Sequence, residues 1–497
     1  MKKRKEEYVS EYLKRIDEVI EKGHYKDNWE SLQGHPVPNW YQNAKFGIFI
    51  HYGVYSVPAF KNEWYPRNMY VQGTEEYEHH LETYGAHKDF GYADFIPMFK
   101  VEHFDADEWM KLIKASGAKY VMPVAEHHDG FQMYDSDLSD WNTVKMGPHK
   151  DILGELKAAA EKKGIVFCAS SHRAENYWYF GGSRHFNSGL QDIGFCEPYG
   201  YAHPDYSDDE AMSTLSNDIY STPASKEHLE DWLARTCDLV DRYRPKIVYF
   251  DWWIQNISFK PYLKKFAAYY YNRALEWGEE VAINSKFDAY PCSTAVFDVE
   301  RGQLKDICPR LWQTDTAVAK NSWGYTENND YKNPVDIVCD IVDIVSKNGC
   351  MLLNIGPKSD GTIATKENEI LISIGKWLNV NGESIYGTTF WKTFGEGPTE
   401  VKEGSFTDVN RVQFTSKDIR FTYKAPYLYA NVLSWPKNGE VTIRSLGYKA
   451  FNGSITNIKV LGFDATVTFT RDRNSLNIKV EDDIYTKYPV CLKIEID

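Results

Sequence analysis

Residues 246–253 read Lys-Ile-Val-Tyr-Phe-Asp-Trp-Trp. Ile247 to Phe250 form a short apolar run with β-branched and aromatic members, the pattern of a buried strand. Asp251 stands at its C-terminal end, with Trp252 and Trp253 beyond it. An acid between aromatics at the end of a buried strand is costly unless it is paired or used. In barrels of parallel strands that end carries the chemistry. Asp251 is therefore either a catalytic carboxylate or a cap for the following helix.

Seven further strand-like runs accompany this one, at 45–51, 118–125, 164–170, 280–284, 294–299, 310–314 and 351–355. Amphipathic helical patterns lie between several of them, at 105–116, 151–163, 226–243, 260–277 and 333–347, with another at 366–379. Strands alternating with helices predict a parallel sheet, and eight of them predict a closed (β/α)8-like TIM barrel. The alternation fails around 285–315, where the barrel is expected to be irregular. Before the barrel, residues 1–40 read as a helical N-terminal extension, with Val9, Tyr12, Leu13, Ile16, Val19 and Ile20 on one repeat. The catalytic barrel is expected over 41–388. From about Trp391 short alternating runs appear, one of them at 412–414, and predict a C-terminal antiparallel β-sandwich over 389–497. The stretch 181–223, rich in Gly, Ser, Asp and Tyr, follows a strand and reads as a lid or subsite loop. Its acidic run Ser207-Asp208-Asp209-Glu210 reads as solvated surface.

Composition sets outer limits. At 497 residues the chain exceeds one ordinary core, and 42% hydrophobic with 26% charged residues is typical of a globular protein. A net charge of −14 argues against non-specific binding to nucleic acid or anionic membrane. The N-terminus has no apolar core of a signal peptide, and no run is long enough to span a membrane, so a cytoplasmic location is expected. The eight cysteines show no Cys-x-x-Cys pair, so they are expected as reduced thiols rather than zinc ligands. Composition leaves homo-oligomerisation open.

The strand ends gather polar groups: His51, the run Glu126-His127-His128-Asp129, His172, Asp251, Lys286 after Asn284-Ser285, Glu300-Arg301 and Gln313-Thr314-Asp315. One such residue means little, but six or seven strands doing so point to a substrate with many hydroxyls. His127 and His128 are adjacent, so on an extended strand they would face opposite ways and could not both reach one ion without a bend. No metal and no cofactor is expected. Two strand-end carboxylates fit glycoside hydrolysis, one attacking the anomeric carbon and the other protonating the leaving oxygen. Asp251 is the candidate nucleophile and Glu300 the candidate acid/base. Asp298 shares the face of Glu300 but lies deeper, Asp315 is a weaker rival, and Glu63 lies in the loop after the first strand.

These residues sit within stretches that resemble the α-L-fucosidases of glycoside hydrolase family 29. They are Lys45-Phe46-Gly47-Ile48-Phe49-Ile50-His51-Tyr52-Gly53, Glu63-Trp64-Tyr65, Glu126-His127-His128-Asp129-Gly130-Phe131, Asp251-Trp252-Trp253, Ser322-Trp323-Gly324-Tyr325, and Asn348-Gly349 through Leu352-Leu353-Asn354-Ile355-Gly356-Pro357. The resemblance covers about residues 40–385, and the β module behind them fits the family plan. It implies a retaining exo-hydrolase that removes terminal α-L-fucose from oligosaccharides or glycoconjugates without metal or cofactor. It implies Asp251 as nucleophile, and His51, Glu63, Trp64, His127 and His128 as sugar-holding groups, with Trp323 against the apolar side. His172, Tyr249 and Lys286 complete the expected substrate contacts.

The departures carry information. Many relatives have Asn-x-Arg where this chain has Asn284-Ser285-Lys286, and Lys lacks the two-pronged contact of Arg. Some place the acid/base Glu where this chain has Gln313, which cannot donate a proton as an acid. Others place it where Glu300 stands. Two alternatives stay open at this point: the same mechanism on a sugar of galactose configuration, and a non-catalytic sugar-binding protein on the same scaffold.

Overall fold

The apolar runs become strands buried along nearly their whole length because helices cover them outside and side chains fill them inside. The computed structural model describes residues 5–191, 194–203, 223–409 and 411–497. Nine parallel segments make the sheet: β1 (Phe46–Ile50), β2 (Tyr120–Glu126), β3 (Val166–Phe167), β4 (Ala169–Ser171), β5 (Ile247–Phe250), β6 (Ala282–Ser285), β7 (Val296–Glu300), β8 (Trp312–Ala317) and β9 (Gly349–Ile355). β3 and β4 are two pieces of the third strand, interrupted at Cys168. Pairing of β1 with both β9 and β2 closes an eight-stranded barrel.

Helices Ala106–Ala115, Ile152–Lys163, Lys226–Tyr243, Lys260–Trp277, Pro334–Ser346 and Thr365–Asn381 follow strands in turn. Their starts match the sequence signals: Asp151 caps through Gly154 N–H at 2.9 Å and Ser225 through His228 N–H at 3.2 Å. Among the described residues no helix joins β6 to β7 or β7 to β8, so the barrel is irregular where the alternation faded. The N-terminal helix Lys5–Lys22 buries Ile16 and Ile20 against the helices Lys226–Tyr243 and Lys260–Trp277. Its Lys5 lies 3.1 Å from buried Asp231.

Inside the barrel, Phe49, Tyr120, Met122, Tyr249, Cys350 and Leu352 pack into one buried cluster with Tyr41, from the helix Asn39–Ala44 that precedes β1. A polar hub interrupts this core. Gln313 accepts from Tyr41 OH at 2.8 Å and Tyr120 OH at 3.0 Å, and donates to Asp298 Oδ2 at 2.7 Å. The β7–β8 register pairs Asp298 with Gln313 and Glu300 with Asp315, giving a lower and an upper polar layer.

The C-terminal part is a sandwich of two antiparallel sheets. One contains β10 (Thr389–Glu396), β11 (Ile419–Lys424), β12 (Tyr427–Val432), β14 (Ile455–Val460) and β17 (Val490–Ile496). The other contains β13 (Glu440–Ile443), β15 (Val467–Arg471) and β16 (Leu476–Val480). Phe421, Leu428, Leu492 and Ile494 of the first face Val441, Ile443 and Ile478 of the second in one core. The sandwich is tied to the barrel by Arg420, paired with fully buried Asp343, which also holds Lys347 at 2.6 Å.

One expectation changes. Residues 412–414 are not a strand; they lie in the irregular segment between β10 and β11, with Val412 exposed. Three alternating residues are too few to distinguish strand from loop, and here the segment is held by the barrel. Of the stretch 181–223 read as a lid, residues 192–193 and 204–222 lie outside the described residues, and with them the acidic run 207–210.

The hub makes a stability prediction. Gln313→Leu leaves two tyrosine hydroxyls and the Asp298 carboxyl without their partner, at a cost of about 2–4 kcal/mol. Urea unfolding should show a lower midpoint with an unchanged slope, and wild-type stability would remove the hub from the account.

Candidate active site

Every strand ends on the same rim, where the backbone no longer has to satisfy a ladder and polar side chains can turn inward. The rim encloses a cavity of about 720 Å³. Asp251, at the end of β5, is 8% exposed and lines it. Its Oδ2 faces His172 Nδ1 at 3.0 Å and His128 Nε2 at 3.3 Å, and its Oδ1 accepts from Lys286 Nζ at 2.8 Å. Lys286, just past β6, also donates to Glu300 Oε2 at 2.6 Å and lies 3.6 Å from Asp315 Oδ2. Both oxygens touch one nitrogen, so they can be no further apart than those two bond lengths added. That bound is too short for the roughly 6.5–9.5 Å separation of an inverting pair and is compatible with a retaining one.

The two acids are driven in opposite directions. Burial pushes the Asp251 carboxyl up, but Lys286 and the hydrogen bonds from His172 and His128 outweigh it and hold the group well below the usual carboxylate range. At Glu300 burial wins, helped by the negative charges of Asp315 and Asp251 against the pull of Lys286, and its pKa is raised to about 7. One carboxylate is thus kept ionised while its neighbour holds a proton near neutrality. Beneath them burial and Asp315 push Asp298 well above the carboxylate range.

Histidines form one wall. His51 Nδ1 is fixed by Asn354 Oδ1 at 2.7 Å, and Asn354 also donates to Trp323 O at 2.6 Å. With Nδ1 donating, Nε2 of His51 is left as an acceptor. His172 Nε2 faces Ser170 Oγ at 3.0 Å. Burial, above all, lowers the pKa of His51, His127 and His172, so these rings are neutral. At His128 burial is outweighed by Glu175 and Asp251, and its pKa rises. Glu175 backs His128 Nδ1 at 3.2 Å and is itself pushed up to about 7 by burial. His127 Nδ1 is buried without a hydrogen-bond partner among the described residues, which points to one brought by a ligand.

Aromatic rings close the sides. Trp64 stacks on His128 at 5.2 Å, and Trp323 lies 5.2 Å from His51 and 6.3 Å from Phe49. Glu63 sets the Trp323 loop: its Oε2 accepts from Ser322 Oγ at 3.0 Å, Trp323 N–H at 2.8 Å and Gly324 N–H at 3.3 Å. Non-glycine residues with positive φ cluster here, with Trp253 at 77°, Phe287 at 51° and Arg301 at 46°. Each lies one or two residues beyond Asp251, Lys286 or Glu300, and such strain persists where the surroundings over-determine the backbone.

Most residues singled out in the sequence meet at this cavity: His51, Glu63, Trp64, His127, His128, His172, Asp251, Lys286, Glu300 and Trp323 all line it. Tyr249 differs. It is wholly buried below the cavity, donating to Asp315 Oδ2 at 2.9 Å, because an inward residue two before the strand end points into the barrel. Glu126 also leaves the site, drawn to Arg173 at 2.7 Å and Arg235 at 3.3 Å. The expectation that His127 and His128 face opposite ways fails because β2 stops at Glu126, and a turn closed by Gly130 at φ 74° brings both rings in. Ring nitrogens of His51, His127 and His172 accordingly lie within 4.8 Å of one another, as do donor atoms of His128, His172 and Asp251. Sequence spacing could not foresee this, since the ligating atoms come from separate strands. Both His172 nitrogens already face Asp251 and Ser170, so we read the group as a hydrogen-bonding wall.

Sequence reasoning gave no role to Glu175 or Asn354. Asn354 was visible as a polar residue inside an apolar strand; Glu175, between Ala174 and Asn176, carried no signal.

Comparison with known proteins gives a consistent result. The alpha-L-fucosidase family model matches residues 13–383, and the alpha-L-fucosidase C-terminal domain model matches residues 412–495. The chain is 32% identical over 460 residues to the tissue alpha-L-fucosidase of Rattus norvegicus, covering 90% of this chain and 87% of that protein. It is 30% identical over 458 residues to the tissue alpha-L-fucosidase of Homo sapiens, covering 90% and 86%. The solved Thermotoga maritima alpha-fucosidase in complex with fucose superposes with a TM-score of 0.71 at 28% identity, over 94% of this chain and 99% of that one.

The geometry around Lys286 predicts a titration result. Lys286→Met removes the charge that lowers both neighbouring carboxyls, so the pKa values of Asp251 and Glu300 should both rise. Carboxyl 13C NMR titration checks it, and a Glu300 midpoint that falls or stays near 7 would contradict the assigned electrostatics.

Proposed function

This chain belongs to the alpha-L-fucosidase family, and from that premise we propose which of its residues carry the reaction. The enzyme is a glycoside hydrolase that removes terminal α-L-fucose from fucosylated glycans by a retaining double displacement. Asp251 is the nucleophile and Glu300 the acid/base. In the first step an Asp251 oxygen bonds to the anomeric carbon as the glycosidic bond breaks, and Glu300 passes its proton to the leaving oxygen. In the second step Glu300 takes a proton from water, whose oxygen displaces the Asp251 ester and releases fucose.

One observation carries the assignment: a single buried ammonium group joins two carboxyls of opposite protonation tendency. It also explains the change of role at Glu300. Once Asp251 is an ester it has no charge, the repulsion that helped keep the proton on Glu300 disappears, and its pKa falls towards that of a base. His51, His127, His128 and His172 hold the sugar hydroxyls, with Trp64 and Trp323 against its faces. Glu63 positions the Trp323 loop. Lys286 keeps a positive charge beside the nucleophile where many relatives have Arg.

Asp315 is a positioning residue in this reading: it accepts from Tyr249 OH, which rises from the layer below, and lies 3.6 Å from Lys286. Gln313 lies in the lower layer and is fully buried, so a carboxyl there would not border the cavity. Its lack of an acidic proton therefore does not disable the site. The alternatives of a galactose-configured substrate and of a non-catalytic binding protein are not favoured.

Three outcomes follow. Asp251→Ala loses about 10⁴-fold or more in kcat on an aryl α-L-fucoside; near-normal turnover would refute its role. Glu300→Ala regains turnover with added azide, releasing α-L-fucosyl azide, whereas Asp315→Ala does not; the reverse pattern moves the acid/base to Asp315. For wild type, kcat/KM falls as pH rises through about 7, because the protonated Glu300 is then lost. The acid limb lies much lower, where Asp251 gains a proton. A profile flat from pH 6 to 9 would contradict this order of protonation.

A further inference from the structure

The leaving group must lie on the Glu300 side of the cavity, because the acid stands beside the bond that breaks. That side is built in part by chain outside the barrel. Ser405, Phe406 and Val409, from the segment between β10 and β11 of the sandwich, line the same cavity as Glu300. Phe406 N–H donates to the carbonyl of Glu300 itself at 2.9 Å, and Thr407 and Asp408 N–H donate to Arg301 O at 2.8 and 3.0 Å. Gly404 N–H donates to Gln303 O at 3.0 Å. The contact is so close that a Cβ on Gly302 would meet Gly404 O at 1.8 Å, a separation only glycine permits. Asp408 fixes the far end through Lys332 and through Thr316 Oγ1 at 2.6 Å.

Phe406 is unusual on two counts. The residue is 61% exposed, and its backbone sits at φ 57°, a left-handed conformation that bulky residues avoid. Such a backbone is strained, and an exposed ring recovers little of that cost by burial. Phe287 and Trp252, each half-buried, line the same cavity and follow Lys286 and Asp251 directly. The aromatic rim therefore follows the reacting residues, with Lys320 and Asn321 as polar neighbours.

We propose that this rim is a leaving-group subsite for a pyranose, with Phe406 as the platform on which its apolar C–H face stacks. The occupant is a sugar of a glycan chain rather than a lipid or peptide, since flat rings beside amide and ammonium groups match a ring with one apolar face and hydroxyl edges. The inference rests on Glu300 as proton donor, and Phe406 is a specificity residue for the same reaction.

The test compares Phe406→Ala, Phe406→Leu and Phe406→Tyr with wild type on two substrates. One is the best-cleaved member of a panel of fucosyl disaccharides differing in linkage. The other is α-L-fucosyl fluoride, whose leaving group has no ring to stack and needs no proton. The ratio of kcat/KM on disaccharide to that on fluoride should fall about tenfold for Ala and Leu and stay within about twofold for Tyr, the scale of one lost ring contact. An unchanged ratio for Ala overturns the platform while leaving the hydrolase assignment intact. Failure of wild type to turn over the fluoride overturns the hydrolase assignment itself. A fall for Tyr equal to that for Ala also overturns stacking as the cause.

Discussion

The active site depends on one buried cation. Lys286 is surrounded by Asp251, Glu300 and Asp315, with Asp298 in the layer below. Four carboxyls in a low-dielectric interior cannot all be ionised beside a single ammonium group. Protons must be retained somewhere, and position relative to Lys286 decides where. Asp251 touches the nitrogen and has two further histidine donors, so it is the one most firmly ionised. Glu300 has the same cation but faces the other negative charges, so it titrates near neutrality. Burial keeps the charge on Lys286 costly, but the surrounding carboxylates outweigh it and push its pKa well above the ordinary value. Cation and anions are therefore each in the state that stabilises the other.

The barrel imposes this arrangement through its layers. The β7–β8 register puts Glu300 and Asp315 at the rim and Asp298 and Gln313 one layer down. Side chains two residues apart on a strand share a face but differ in depth by about 6.6 Å. A one-residue slip would turn Glu300 out of the barrel and bring a valine or an arginine in its place. The tyrosine and glutamine hub beneath the site opposes such a slip, because its hydrogen bonds form only in the observed register.

Much of this was legible in the chain. Apolar runs ending in polar residues gave the strands, and the accumulation of acids and histidines at those ends gave the site, because a barrel brings every C-terminal strand end to one rim. The helices were legible from periodicity and caps. What local pattern could not supply was the bend after Glu126, which depends on where β2 stops and turns His127 and His128 to the same side. Tyr249 was misplaced for a related reason: a residue near Asp251 in sequence is a full layer deeper in space. Glu175 and Phe406 gave no warning because each acts through a partner far along the chain, His128 for one and the Glu300 carbonyl for the other.

The seam between Gly302 and Gly404 has a consequence for how such proteins diversify. The tail of the chain does more than shield the barrel; it furnishes part of the entrance. Chimeras that exchange the C-terminal module between relatives would therefore exchange acceptor preference along with it, while the strand-end histidines and acids, which belong to the barrel, would pass unchanged. Evolution can thus vary which glycans are trimmed by editing a loop that bears none of the catalytic groups.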